Sequence, residues 1–335
     1  MAQPGSALAW GASGRWFESS RPDHYLFTLE EPTTLTGSPR QWIFDRVLGV
    51  FGYLLYEVGG ALALVAHVSV SYMLASGLAD LNFALNTRSR RAVMANLRHV
   101  LGTSVSEAEM TRVAKRTFRN FALSITDFLR FPILSRKSLT GMADGNALAV
   151  IRGELKSGNG VILLGAHVGN WEVGGAMLAR SGLRLSVAAL PHRNALINRF
   201  FVKRRRRKGI NVVSIGHATA GLLAALRRNE CIAILGDRNV LGRGIRREFF
   251  GSPAVVPYGH VALALRTGAA VVPTFVIREK GSRFRLCVED PIRPGSGAGA
   301  FEDVLSRSLR VMEKYVRQYP DQWFVFEPIW QDGRA

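Results

Sequence analysis

"GVILLGAHVGNWEVGGAMLARS", residues Gly160–Ser181, is the stretch whose reading decides the fold. Four consecutive apolar residues, Val161-Ile162-Leu163-Leu164, stand between glycines. A run that short and that apolar reads as a strand buried on both faces, Gly160–Leu164. From Trp171 to Ser181 the apolar spacing becomes helical, with Asn170 as a plausible N-cap. Gly165 and Gly169 let the connecting loop fold tightly. The same rhythm continues outward from this unit. Strands are expected at Leu185–Ala189, Ile210–Ser214, Cys231–Leu235, Ala270–Ile277 and Phe284–Val288. Helices are expected at Ala195–Lys208, Thr219–Arg228, Tyr258–Thr267 and Glu302–Gln318. Upstream, Ser104–Leu129 reads as a capped helix that buries Val113, Phe118, Phe121, Ile125 and Phe128. The class is α/β: a largely parallel central sheet flanked by helices.

The loop of the opening stretch carries chemistry. His167 and Glu172 are five residues apart, a step of about 500° in a helix, which would leave them about 140° apart. They meet only if His167 lies on the loop and Glu172 in the first helical turn. The carboxylate then accepts the Nδ1 proton, and Nε2 faces the crevice at the strand's carboxyl end, where open α/β sheets bind ligands. The bland alternative is a histidine that merely caps a helix. The chain has no G-x-S-x-G elbow, no Walker A loop, no G-x-G-x-x-G and no H-E-x-x-H. Without an activated serine or cysteine, His167 is expected to act as a general base on a substrate hydroxyl, with Glu172 as its partner. Backbone N–H groups near Gly169, Asn170 and Trp171, or a nearby arginine, are the expected oxyanion donors. Asp237 and Arg238 end a buried apolar strand and are expected to line the site. His192, His217 and His260 read as ordinary polar or core residues.

Charge points to the partner. The formal net charge is +19 and the sequence pI about 11.0, so an anionic partner is expected: nucleic acid, a bilayer surface or an acidic carrier. No RNA or DNA module is recognisable, and the basic run Lys203–Lys208 is not interleaved with stacking aromatics, so nucleic acid ranks last. That run is either a solvated face or a contact for phosphates of a lipid headgroup, of phosphopantetheine or of an acidic carrier. Cys231 and Cys287 read as reduced thiols within apolar strands.

Residues 1–40 are rich in Gly, Ser, Pro and Thr and read as a disordered tail. Within them "RWFESSRP", Arg15–Pro22, back-translates readily to the T-arm of a tRNA gene, so the native start is expected further downstream. Residues 41–103 read as hydrophobic, membrane-associated helices. Val58–Ala79, roughly 22 residues, lacks Asp, Glu, Lys and Arg, which suits a transmembrane or interfacial helix or a buried core helix. Arg88, Arg90, Arg91 and Arg98 follow, so the 104–330 catalytic domain is expected on the cytoplasmic face of the plasma (inner) membrane.

"HVGNWE", His167–Glu172, resembles the H-x₄-D/E motif of the lysophospholipid acyltransferase superfamily, and most closely the bacterial late acyltransferases of lipid A biosynthesis and the related phosphatidylinositol mannoside acyltransferases. Further pieces stand in the family's order: "RRAVMANL" (90–97), "RRRRKGINVV" (204–213), "GDRN" (236–239), "FFGSPAVVPYGHVALALRTGAAVVP" (249–273) and "YPDQWFVFEPIW" (319–330). The resemblance spans roughly Gly49 to Trp330. It implies transfer of a fatty acyl group from an acyl carrier protein or coenzyme A thioester to a lipid hydroxyl, with no metal and no further cofactor. It also implies that Arg205, four before Gly209, lies near the site, and that Phe249, Phe250 and Gly251 pack beside the acyl channel. Lipid A enzymes usually carry basic residues before the last Trp. Glu327-Pro328-Ile329 stand there instead, which leaves the acceptor open: a lipid A-like acceptor is favoured, with a phosphatidylinositol mannoside or other glycerolipid acyltransferase as the alternative and a noncatalytic membrane-associated relative of the same fold as a rival class.

Overall fold

The computed structural model describes residues 39–330, apart from 103, 142–144, 193, 215–217, 241 and 243. All but the last two residues of the expected tail, the displaced start and His217 lie outside the described residues. Eight described strands run β1 (Val161–Gly165), β2 (Leu185–Ala189), β3 (Ile210–Ser214), β4 (Cys231–Leu235), β5 (Ile245–Phe249), β6 (Ser252–Val256), β7 (Ala270–Arg278) and β8 (Phe284–Val288). The helices are α1 (Pro39–Val65), α2 (Val68–Leu85), α3 (Thr87–Leu101), α4 (Glu107–Leu129), α5 (Arg136–Gly141) and α6 (Gly145–Leu155), followed by α7 (Trp171–Arg180), α8 (Ala195–Arg207), α9 (Ala218–Arg227), α10 (Gly259–Thr267) and α11 (Ala300–Gln318).

Six strands form one sheet in the order β3-β2-β4-β1-β7-β8, parallel except for β8. The expected α/β class and all six of its strands are present. Successive side chains of β1 point to opposite faces. Val161 and Leu163 join a core with Ile151, Met177 and Phe201, on the side of α6, α7 and α8. Ile162 and Leu164 join a second core with Leu226, Val261 and Met312, on the side of α9, α10 and α11. Two buried faces are why β1 reads as unbroken apolar sequence rather than as an alternation.

β5 and β6 form a separate antiparallel hairpin that the sequence reading did not foresee. Its two-residue turn is Phe250-Gly251, both at positive φ (55° and 75°). Such turns usually carry Asn-Gly or Asp-Gly. Phe250 takes this unfavourable conformation because its N–H donates to Glu313 Oε1 (2.6 Å) and its ring packs with Trp323 and Trp330.

The Val58–Ala79 run is not one helix. The backbone breaks at Ala66-His67, and His67 Nδ1 caps α2 by accepting from Ser69 N–H. Arg130 donates to the carbonyls of Ala63 and Ala66, which satisfies the end of α1. α2 lies along α4, and its Asp80 pairs with Arg119 (2.6 Å). By length and composition α2 is the one helix among the described residues long and apolar enough to cross a membrane. Its outer face, Val70, Met73, Leu74, Leu78, Leu81 and Leu85, is exposed and apolar at helical spacing.

Candidate active site

β1 and β4 are parallel neighbours in register, with Gly165 opposite Leu235. Their chains leave the sheet side by side, and Gly236 N–H donates to Gly165 O (2.9 Å). Two residues beyond each strand stand His167 and Asp237, at equal offset, and they meet. His167 Nδ1 lies 2.7 Å from Asp237 Oδ1, and the His167 backbone N–H donates to Oδ2 (2.9 Å). His167 thus stands at the carboxyl end of the sheet, but its partner is Asp237 and not Glu172. The Asp237 side chain is completely buried, whereas that of His167 keeps 16% of its surface exposed.

Burial pushes the Asp237 carboxyl up. The facing His167 ring, the indole N–H of Trp323 and the His167 backbone N–H outweigh it and hold the group below the ordinary carboxylate range. A carboxylate facing Nδ1 keeps the proton there and leaves Nε2 as the basic nitrogen.

The loop is shaped by backbone as much as by side chains. Gly169 has φ +69°, and a Cβ there would sit 2.1 Å from Val276 O. Gly169 N–H donates to Gln322 O (2.9 Å), Asn170 N–H to Val276 O (2.7 Å) and Phe324 N–H to His167 O (2.7 Å). Two of the expected oxyanion donors, the N–H groups of Gly169 and Asn170, are therefore already committed. Asn170 is the N-cap of α7: its Oδ1 accepts from Val173 N–H (3.1 Å). Its Nδ2 donates to the buried Asp127 (2.8 Å), which also accepts from Arg278 and from Tyr72 of α2. The Trp171 ring stands edge-on to His167, centroids 5.2 Å apart.

Glu172 faces α8. Arg205 grips it with Nε (3.0 Å to Oε2) and with its terminal nitrogen, both side chains being mostly buried. The Glu172 carboxylate is committed to Arg205, and the register of β1 on β4 brings Asp237 to His167 in its place. Arg205, which the resemblance singled out, thus pairs with Glu172 of the same motif.

The family model described as "Bacterial lipid A biosynthesis acyltransferase" matches residues 42–332. The chain belongs to this family. Similar curated proteins are phosphatidylinositol mannoside acyltransferases. Those of Mycobacterium tuberculosis (strains CDC 1551 / Oshkosh and ATCC 25618 / H37Rv) are 26% identical over 212 residues, 61% of this chain. The aligned part spans 66% of their length, just under two thirds. That of Mycolicibacterium smegmatis (strain ATCC 700084 / mc(2)155) is 24% identical over 245 residues, 70% of this chain and 77% of the relative.

The remaining candidates of this family member fall into two groups. Arg238 follows Asp237 beyond the end of β4 and is paired with Glu327 (2.8 Å). Glu327 sits on the C-terminal segment that Asn96 ties down through Val325 O, Glu327 O and Ile329 N–H. Phe249 and Phe250 are buried in an aromatic cluster with Trp323 and Trp330, and Gly251 turns the hairpin. The two rings are buried, Phe250 beside the Trp323 that bonds Asp237, whereas Gly251 is exposed.

The basic run divides. Arg204 stacks over Phe200 (4.1 Å), and Lys208 is buried and donates to Leu134 O (2.7 Å). Lys203, Arg206 and Arg207, with Arg199, line a shallow outer depression of α8. His192 packs on Phe201 (4.4 Å), and His260 lies in the core. Sequence reading missed Asp127, Arg278, Tyr72 and Trp323. The available signals were a lone carboxylate at the apolar end of α4 and a tryptophan inside the C-terminal block.

Proposed function

We propose that this protein moves a fatty acyl chain from a thioester of acyl carrier protein or coenzyme A to a hydroxyl of a membrane glycolipid or lysolipid. The observation that carries the reading is the His167–Asp237 pair at the carboxyl end of the sheet, with the carboxylate on Nδ1. Nε2 takes the proton of the acceptor hydroxyl as its oxygen attacks the thioester carbonyl. The tetrahedral intermediate collapses, the C–S bond breaks, and the imidazolium returns the proton to the leaving thiolate. Asp237 holds the ring and stabilises the imidazolium. Arg205, held by Glu172, and the Trp171 N–H at the start of α7 are the groups assigned to the oxyanion.

The acceptor is a glycolipid in both lines of support. Family membership favours a lipid A-like acceptor, and the names of the mycobacterial relatives favour a phosphatidylinositol mannoside. The exposed apolar faces of α1 and α2, with a basic α8 packed beside α1, suit a protein lying on an anionic leaflet, at the cytoplasmic side of the inner membrane where acyl thioesters are available.

The test supplies labelled acyl thioester, carrier-linked or coenzyme A-linked, to protein in mixed micelles with a lipid A precursor or a phosphatidylinositol mannoside. Labelled product with one acceptor, abolished in His167→Ala, is expected. Absence of transfer to either lipid from either donor, or full transfer by a folded His167→Ala protein, overturns the reading.

A further inference from the structure

The carboxylate that faces His167 is itself gripped from 86 residues further along the chain: the indole Nε1–H of Trp323 donates to Asp237 Oδ2 at 2.9 Å. We propose that Trp323 is a positioning residue for acyl transfer, its single N–H fixing the rotation of the Asp237 carboxylate so that Oδ1 faces His167 Nδ1. This rests on the assignment of His167 as general base.

The geometry assigns each oxygen a separate task. Oδ2 receives two donors, the Trp323 indole and the His167 backbone N–H, while Oδ1 faces only the imidazole. The carboxylate has no exposed surface, so water does not stand in for a lost donor. The nature of the donor matters as well. A hydroxyl can rotate and accept a proton, whereas an indole N–H only donates. It therefore favours the ionised carboxylate and disfavours a proton on Oδ2.

The indole has little freedom to move. Val168 and Trp323 form an antiparallel bridge, and the neighbouring backbone bonds, Gly169 N–H to Gln322 O and Phe324 N–H to His167 O, bracket Trp323 on both sides. Gln322 closes a further pair, accepting from Arg278 N–H (3.0 Å) and donating to Arg278 O (2.9 Å). The Trp323 ring is buried against Phe250 and Trp330. The C-terminal block thus holds the backbone of the loop and, through one side-chain hydrogen bond, the partner of the base.

Packing and positioning make opposite predictions for two variants. Trp323→Phe keeps more of the apolar ring and loses the N–H. Trp323→His fills the space less well and keeps an N–H. Steady-state kcat and KM for the thioester are measured across pH for wild type, both variants, Asp237→Asn and the Asp237→Asn/Trp323→Phe double variant, with thermal unfolding as the fold control. Trp323→Phe is expected to lower kcat about 10- to 100-fold, the range of one hydrogen bond to a charged group, with KM nearly unchanged. The pH profile of kcat/KM is expected to change together with kcat, because the carboxylate that faces the base has lost its fixed orientation. Trp323→His should recover part of kcat. In the Asp237→Asn background Trp323→Phe should cost little. Wild-type kcat and pH profile in Trp323→Phe overturn the proposal, as does an equal loss in both backgrounds or a Trp323→His protein worse than Trp323→Phe. Failure of the general-base assignment shows separately, as turnover in His167→Ala.

Discussion

The loop around His167 and the outer face of α1 and α2 are built in opposite ways. In the loop, successive backbone and side-chain groups are committed to partners far away in sequence: His167 to Asp237, Gly169 to Gln322, Asn170 to Asp127 and Val276. On α1 and α2 the side chains of Val58, Leu62, Val65, Met73, Leu74 and Leu78 stand exposed. The first region is held in place by the protein itself, as the proposed chemistry requires. The second is apolar surface shaped for something outside the chain. Changes in the loop should therefore alter turnover, and changes on the face should alter only where the protein resides.

The largest expected effect tests the loop. His167→Ala and Asp237→Asn should each lower kcat by about 10²–10⁴, the usual worth of a positioned acid–base group. The double variant should be little worse than His167→Ala, because an orienting carboxylate without its base has no task. Glu172→Gln should be impaired by a different route, loosening Arg205 without touching the His167–Asp237 pair, so its loss should add to that of Asp237→Asn. A rate assay on the singles and the two doubles separates these outcomes. Additivity of His167 with Asp237, or its absence for Glu172 with Asp237, would reverse the two assignments.

The next effect is on the backbone of the same loop. Gly169→Ala places a methyl on Val276 O and forces a side chain into positive φ. A cost of about 2–4 kcal/mol is expected, with most activity lost. Denaturant unfolding and turnover would check it; a fully stable and active Gly169→Ala protein would show that the loop is far less constrained than its bonds imply.

How much of this was legible in sequence follows from how far each contact reaches. β1, the loop and the Asn170 cap are local, and apolar runs, glycines and a capping residue announce them. The meeting of His167 with Asp237 needs the register of β1 on β4, which no local pattern carries. Asp237 was recognised as site-lining because it ends a buried strand, but Glu172 was nearer in sequence and was assigned the bond. The β5–β6 hairpin went unseen because Phe250 holds a turn position that usually belongs to Asn or Asp. The break at Ala66-His67 went unseen because it lacks a charge, a glycine or a proline.

A smaller effect is expected on the far side of the sheet, where neither region reaches. His260 is buried in α10, its Nε2 lacks a hydrogen-bond partner, and burial pushes its pKa from 6.5 down to about 4. The unfolded chain binds the proton first, so His260 costs nothing well above pH 6.5. It destabilises the fold progressively as pH falls through 6.5 toward 4, by about 3 kcal/mol at the lower end. His260→Leu should flatten the stability–pH curve in that window while leaving it unchanged near pH 8. Urea unfolding at several pH values would show it, and identical slopes in both proteins would remove His260 as the cause.

The smallest expected effect on the catalytic machinery comes from the apolar face. Leu74 and Leu78 lie one turn apart on α2, exposed and remote from the bonds that fix His167. Substitution at an exposed position away from caps and ion pairs usually changes stability by no more than about 0.5 kcal/mol. Leu74→Glu/Leu78→Glu should therefore unfold at nearly the wild-type temperature and turn over soluble thioester with a dispersed acceptor in detergent at nearly the wild-type rate. Membrane binding should respond very differently. Immersing one such side chain is worth about 1.5–3 kcal/mol when complete, and the variant replaces two of them with charges that an anionic leaflet repels. Partition onto vesicles containing anionic lipid should fall by more than about tenfold, and transfer to vesicle-bound acceptor should fall with it. Tyr72 makes this a sharp test. It lies on the same helix, two residues before Leu74, and bonds Asp127, which in turn holds the cap of α7. If the double substitution lowers turnover in detergent as strongly as on vesicles, α2 transmits its position through Tyr72 to the loop, and the two regions act as one. If vesicle binding is unchanged, the apolar face is covered by something other than lipid.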